Sequence, residues 1–261
     1  MFVSTGSAQL FCTRYGPPWV PGQTDAIIGI GGWIGSGELW ALPFETLSQT
    51  HCCISYDHRG SGASVAPVES ITLDNLVSDL FAVMDAYQIA RCVVAAESSG
   101  ALTALSAALR DPERICALVL VDGMVYRGLA AGNDPFLAGL QQNYPATLSR
   151  FVNLCMPDDG PAHIKRWGHQ IIDRASPEAA IALRQINNQA DLRERLKDVQ
   201  QPTLVLHCSD DKIVPVTQAH ALVEALPNAK LVVFEDSGHI PTLTRPLEVA
   251  AQIERFLANQ A

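Results

Sequence analysis

What most restricts the fold of this 261-residue chain is a regular alternation of short β-rich apolar runs with longer segments of helical period. The runs cover 2–4, 9–13, 26–30, 52–56, 92–96, 117–121, 203–207 and 231–234. Four of them, 26–30, 92–96, 117–121 and 231–234, are apolar throughout, as strands are when helices cover both faces of a parallel sheet. Helical period falls between them at 38–48, 73–87, 99–109, 217–226 and 246–258. The pattern predicts an α/β fold, a mostly parallel eight-stranded sheet with helices on both faces.

One gap interrupts the alternation, since about 80 residues separate the run ending at Val121 from the one starting at Thr203. Within it, 135–148, 161–175 and 177–188 read as helices, each with proline near its start, where the missing N–H costs nothing. The chain is therefore expected to form one core domain from 1–124 and 191–261, with 125–190 inserted as a helical cap.

Charge narrows the partners. With 18 Lys and Arg against 27 Asp and Glu, the net charge of −9 disfavours nucleic acid and anionic membranes. A small, largely neutral substrate is the expected partner, with the protein a monomer or homodimer. The N-terminal stretch has no basic region followed by a long apolar one, and no run reaches the ~18 apolar residues of a spanning helix. This predicts a soluble, cytoplasmic protein. The seven cysteines form no C-x-x-C pair and mostly sit in apolar runs, which predicts reduced core thiols.

Chemistry first shows at Ala96-Glu-Ser98-Ser-Gly100, where the apolar run 92–96 gives way to helical period. A strand turning sharply into a helix lifts a serine hydroxyl above the sheet and leaves the next amide at a helix N-terminus. Small residues are needed two before and two after such a serine. Ala96 and Gly100 meet that need for Ser98, whereas Glu97 fails it for Ser99. The competing reading is a serine that merely caps the helix.

Two later segments supply what a nucleophilic serine requires, in the order Ser…Asp…His. Asp210 and Asp211 follow the run 203–207, and a carboxylate there can orient an imidazole and stabilise its charged form. Either of the two carboxylates could serve, the competing reading being a solvated Asp-Asp turn. Gly238-His239 follows the last run and provides a base suited to neutral pH. Gly31-Gly32-Trp33, after 26–30, can aim the Trp33 amide at a developing oxyanion, with the Ser99 amide as second donor.

With these motifs the chain resembles the α/β-hydrolase family over about 9–256. The resemblance rests on Gly31-Gly32-Trp33 with Ser36 and Trp40, on Asp57-His-Arg-Gly-Ser-Gly62-Ala-Ser64, on Ala96-Glu-Ser98-Ser-Gly100, and on Asp211-Lys-Ile-Val-Pro215 with Gly238-His239. It implies Ser98 as nucleophile, Asp211 as acid, His239 as base, and 125–190 as a cap over the pocket, with Asp122, at the end of 117–121, as the alternative acid used by some members and Asp210 left to face solvent or cap the following helix. The chain departs from the family pattern at Gly31, where histidine is usual, and at Ala96, where glycine is usual. Asp57 and Arg59 are expected to build a turn.

The implied reaction is acyl transfer through a Ser98 acyl-enzyme, with no cofactor and no metal. A carboxylic ester or lactone of a small apolar molecule is the expected substrate. Thioester hydrolysis and carbon–carbon bond hydrolysis would use the same residues, and a slow or inactive small-molecule receptor is the alternative from another class. Gly32, Phe136, Tyr144 and Trp167 are candidates to contact substrate. A dinucleotide motif fails at Ile34, and His163 and His169 are six apart, a spacing that does not share a helix face.

Overall fold

The computed structural model describes residues 1–21, 25–127, 133–156 and 160–260. Its first strands, β1 (Phe2–Thr5) and β2 (Ala8–Tyr15), form an antiparallel pair at one edge of the sheet. β3 (Ala26–Ile30), β4 (Cys53–Tyr56), β5 (Cys92–Glu97), β6 (Ile115–Val121), β7 (Thr203–Cys208) and β8 (Ala229–Phe234) follow. The order is β1-β2-β4-β3-β5-β6-β7-β8; β2 meets β4 antiparallel, and every later pair is parallel. The eight-stranded, mostly parallel α/β architecture is the one expected from the apolar runs.

Winding direction reverses at β3. From β3 the chain moves outward to β4, then crosses back to β5 on the other side. Loops leaving the C-terminal ends of β3 and β5 therefore diverge and open a crevice between them. The Gly31–Trp33 turn and Ser98 are those two loop starts.

Helices cover both faces. α1 (Ala41–Leu47) packs on the face presenting Ile27, Val93 and Val119, while α2 (Leu73–Ala86) and α3 (Gly100–Arg110) cover Ile28, Val94 and Leu118. Adjacent residues of one strand thus enter opposite cores, as the two-residue side-chain period requires. Among the described residues four α-helices lie between β6 and β7: α4 (Pro135–Gln142), α5 (Tyr144–Cys155), α6 (Ala162–Ile172) and α7 (Pro177–Gln189). Their Leu140, Val152, Ile171 and Leu183 join the same apolar cluster as α1. α8 (Val216–Ala225), the short α9 (Pro241–Thr244) and α10 (Pro246–Ala258) complete the chain.

The single helix expected over 135–148 is two. Asn143 leaves the helix at φ −152° and ψ 84°, and its side chain caps α5 by accepting from the Ala146 N–H. Pro145 has no N–H to continue α4, and α5 then runs on to Cys155. Parts of the expected 125–190 insertion, 128–132 and 157–159, lie outside the described residues. All seven cysteines are free thiols, six buried and Cys116 half-buried. Among the described residues no helix is long and apolar enough to cross a membrane.

Candidate active site

β5 ends at Glu97 and α3 begins at Gly100, leaving two residues to reverse the chain. Ser98 does so at φ +52°, a left-handed conformation that strains any side-chain-bearing residue. Neighbours hold it there. Its N–H donates to Val121 O at 2.8 Å, and its carbonyl accepts from Ala101 and Met124 at 3.1 and 3.0 Å. Gly100 is required by closeness, since a Cβ there would fall 2.7 Å from Gly31 O. Ser99 occupies the cap position of α3 without a side-chain capping bond, so neither serine caps the helix through its hydroxyl.

The Ser98 hydroxyl instead meets the imidazole of His239, Oγ to Nε2, at 2.9 Å. On the other side of the ring, Nδ1 lies 2.6 Å from Asp211 Oδ2. Asp211 Oδ1 accepts from the Ile213 and Val214 N–H groups at 2.7 and 2.9 Å. Asp211 and His239 are both buried. Burial would raise the Asp211 carboxyl, but the imidazole and the two main-chain donors outweigh it and hold it below its ordinary range. Burial likewise opposes charge on His239, and the Asp211 carboxylate overrides this and lifts the imidazole above its ordinary value. A proton arriving from Ser98 is therefore well held.

The other acids stand apart. Asp210 is exposed, and its N–H donates to Ser237 O at 3.1 Å. Asp122 is fully buried, its Oδ1 accepting from Cys208 N–H at 2.8 Å and its Oδ2 without a partner among the described residues. Burial pushes its carboxyl up to about 7. His207, buried nearby, donates from Nε2 to Val214 O at 2.8 Å and so braces the turn that carries Asp211. Asp122, His207 and Asp211 form the one potential metal-ligand group among the described residues. Both Asp211 oxygens are already taken by His239, Ile213 and Val214, so an ion would have to displace them.

Beside the hydroxyl lies the turn after β3. A Cβ on Gly32 would come within 2.9 Å of Ser98 Cβ, so the main chain here runs against the serine. At Gly31, where the family pattern has histidine, a Cβ would fall 2.4 Å from Gly35 O; this turn has no room for a side chain. Trp33 is fixed by its indole, which donates to Ala180 O at 2.8 Å and packs edge-on against Phe136 and Phe151 at 5.0 and 5.2 Å. Among the described residues neither the Trp33 nor the Ser99 main-chain N–H has an acceptor. Two unengaged donors flanking Ser98 are what a developing oxyanion needs.

A cleft of about 550 Å³, counting the part open to solvent, ends on Ser98 and His239. Gly32 and Trp33 line it, with Ile34, Leu39, Ile240 and Leu243 from the core and Phe151, Val152, Cys155, Gly168, Ile171 and Ile172 from α5 and α6. Ser99 lines a second, smaller void together with Gly32, Trp33 and His58. Of the expected substrate contacts, Gly32 lines the cleft and three do not. Phe136 packs behind Trp33 with the Arg184 guanidinium over its ring. Tyr144 donates its hydroxyl to Ala175 O at 2.9 Å, and Trp167 its indole N–H to Glu38 Oε2 at 3.2 Å. The Tyr144 tip is taken by the turn between α6 and α7 and the Trp167 tip by the segment before α1, and neither residue lines the cleft.

Glu97 is the group that sequence reasoning missed. It lines the cleft, is buried, and accepts from Thr242 Oγ1 at 3.2 Å. Burial pushes its carboxyl up to about 8. Its position at the end of an apolar run was the available signal.

Similar proteins carry related names. A protein of Caulobacter sp. (strain K31) named "Putative carbamate hydrolase RutD" is 28% identical, with 97% of each chain covered. The pimeloyl-[acyl-carrier protein] methyl ester esterase of Nitrosomonas europaea is 30% identical over 86% of this chain and 92% of its own. The enol-lactonase of Burkholderia xenovorans LB400 superposes with a TM-score of 0.90 at 22% identity, covering 99% of this chain and all of that one. The alpha/beta hydrolase family model matches residues 21–252, and the chain belongs to that family.

Proposed function

We propose that the protein is a serine hydrolase that cleaves a carboxylic ester or lactone of a small apolar molecule through a Ser98 acyl-enzyme. The observation that carries this reading is the unbroken chain Asp211–His239–Ser98, hydrogen-bonded at 2.6 and 2.9 Å and ending at a cleft.

In the first half, His239 Nε2 takes the Ser98 proton as Oγ attacks the substrate carbonyl, and the Trp33 and Ser99 amides hold the resulting oxyanion. The imidazolium returns the proton to the leaving alkoxide, and the acyl group stays on Ser98. Water then attacks with His239 again as base, releasing the acid and restoring the serine. Residues 125–190 act as the cap, supplying the cleft wall from α5 and α6.

The wall selects for apolar groups. Among the described residues no lysine or arginine lines it, so an anionic substituent would be desolvated without a partner. Relatives named as an ester esterase and a carbamate hydrolase support attack on a carbonyl bearing a heteroatom leaving group.

Intact mass after treatment with a fluorophosphonate tests the nucleophile. One adduct is expected on the native protein and none on Ser98→Ala; an unlabelled native protein, or a variant labelled equally well, would sink the reading. A panel of neutral esters, lactones and a carbamate then assigns the leaving group.

A further inference from the structure

The loop after β4, Asp57-His-Arg-Gly-Ser-Gly62-Ala-Ser64, plays no part in the chemistry above, yet Asp57, His58 and Arg59 are all buried. Its imidazole touches the oxyanion turn. His58 Nε2 lies 2.9 Å from Gly32 O. We infer that His58 is a positioning residue for the oxyanion site: its Nε2–H grips the carbonyl end of the peptide unit whose amide end is the Trp33 N–H. The inference rests on the hydrolase reading above.

The argument is geometric. Gly32 C=O and Trp33 N–H belong to one planar trans peptide group and point in opposite directions, so fixing the oxygen aims the hydrogen. Gly32 O receives two bonds. One, from Gly35 N–H at 3.1 Å, closes the turn on itself and travels with it. The other comes from His58, on a different strand's loop, and ties the turn to the sheet. A carbonyl that accepts hydrogen bonds also polarises its own amide, which makes Trp33 N–H a stronger donor.

His58 can do this because its neighbours cannot move. Asp57 accepts from Gly37 and Ala63 N–H groups at 2.8 and 2.7 Å. Arg59 forms a buried two-pronged pair with Asp79, both bonds 2.6 Å. The second ring nitrogen, Nδ1, lies 3.0 Å from Arg59 O. Carbonyl oxygens only accept, and a ring with one N–H serves one of them; the inference places that hydrogen on Nε2, facing Gly32 O.

Three substitutions separate positioning from packing. In His58→Gln the terminal amide nitrogen takes the place of Nε2; in His58→Asn it reaches only the place of Nδ1; His58→Leu fills the space without a donor. For the Asn and Leu variants kcat on a neutral ester is expected to fall about 10- to 100-fold with KM little changed, short of the ~10²–10³ lost when an oxyanion donor is removed outright. His58→Gln should recover most of the rate. Affinity for a trifluoromethyl ketone, which forms the oxyanion on Ser98, should fall in step with kcat/KM. Melting temperature, read on the same variants, reports packing separately.

Native kcat in all three variants, with Ser98→Ala still inactive, would overturn the inference and leave the hydrolase reading standing. So would a Gln variant as slow as Leu, with rate loss tracking lost melting temperature. A native protein that neither labels with fluorophosphonate nor turns over any ester removes the hydrolase reading and this inference with it.

Discussion

His239 and Asp211 meet at 2.6 Å, Nδ1 to Oδ2, while the equally buried Asp122, at the end of the neighbouring strand, bonds the Cys208 N–H instead. Two acids thus stand near one imidazole, and only one orients it. Asp211→Asn is expected to lower kcat by about 10⁴, since an amide favours the wrong tautomer. Asp122→Asn should change kcat less than about tenfold, because its unpartnered oxygen is not on the imidazole. Steady-state rates on a neutral ester decide the assignment; the reverse ranking would move the acid to β6.

Stability should fall as pH rises from about 4.5 to 8. Burial holds Glu97 up to about 8 and Asp122 up to about 7, from ordinary values of 4.5 and 3.8. Both bind a proton more tightly folded than unfolded, so the stability they contribute is present in acid and lost as pH climbs through the folded values. His239, also raised, has the same sign; Asp211, lowered, has the opposite one and weakens the fold on acidification below its ordinary value. Urea midpoints for native protein and Glu97→Gln at pH 5, 7 and 9 test this. The variant should gain on the native protein with each step, and a constant difference would refute it.

Substrate size should follow the cleft wall. Gly168 lies in α6 on that wall, and a Cβ there would sit 3.5 Å from Val152 Cγ1, an ordinary contact. Gly168→Ala should therefore fold well and favour shorter acyl chains. Ile171→Ala, at a fully buried wall position, should cost about 2–5 kcal/mol and favour longer ones. A p-nitrophenyl ester series from acetyl to octanoyl, read as kcat/KM, shows whether the two optima move apart.

Gly100→Ala should lose both stability and rate. The added methyl would meet Gly31 O at 2.7 Å, backbone against backbone, so the α3 start and the oxyanion turn must separate. A loss of roughly 1–3 kcal/mol is expected from such overpacking, with kcat falling more than KM changes. Chemical denaturation and steady-state kinetics on the same sample check the pairing; a destabilised variant with native kcat would show that the two elements move independently.

The sheet was legible because its central parallel strands are buried on both faces and therefore apolar along their length, as Ala26–Ile30 and Ile115–Val121 are. The order of Ser98, Asp211 and His239 was legible because each follows the C-terminal end of such a strand, where loops converge. Helix facing in the insertion was not. Phe136, Tyr144 and Trp167 look like a pocket lining in one dimension, but the Tyr144 hydroxyl and the Trp167 indole N–H found partners at Ala175 and Glu38, a choice set by tertiary contacts. His58 was hidden for a different reason. Sequence shows it inside a turn motif, and only the fold brings Gly32, 26 residues earlier, to its ring.

The bond from the Trp33 indole to Ala180 O joins the oxyanion turn to α7 across 147 residues of sequence. One end lies on the turn beside Ser98, the other in the insertion on a helix next to those that wall the cleft. The bond fastens the Trp33 side chain to α7, so a displacement of α7 at Ala180 would break it and loosen that side chain. A substitution that shifts the Ala180 carbonyl is therefore expected to be felt beside Ser98, although among the described residues none of α7 lines the cleft.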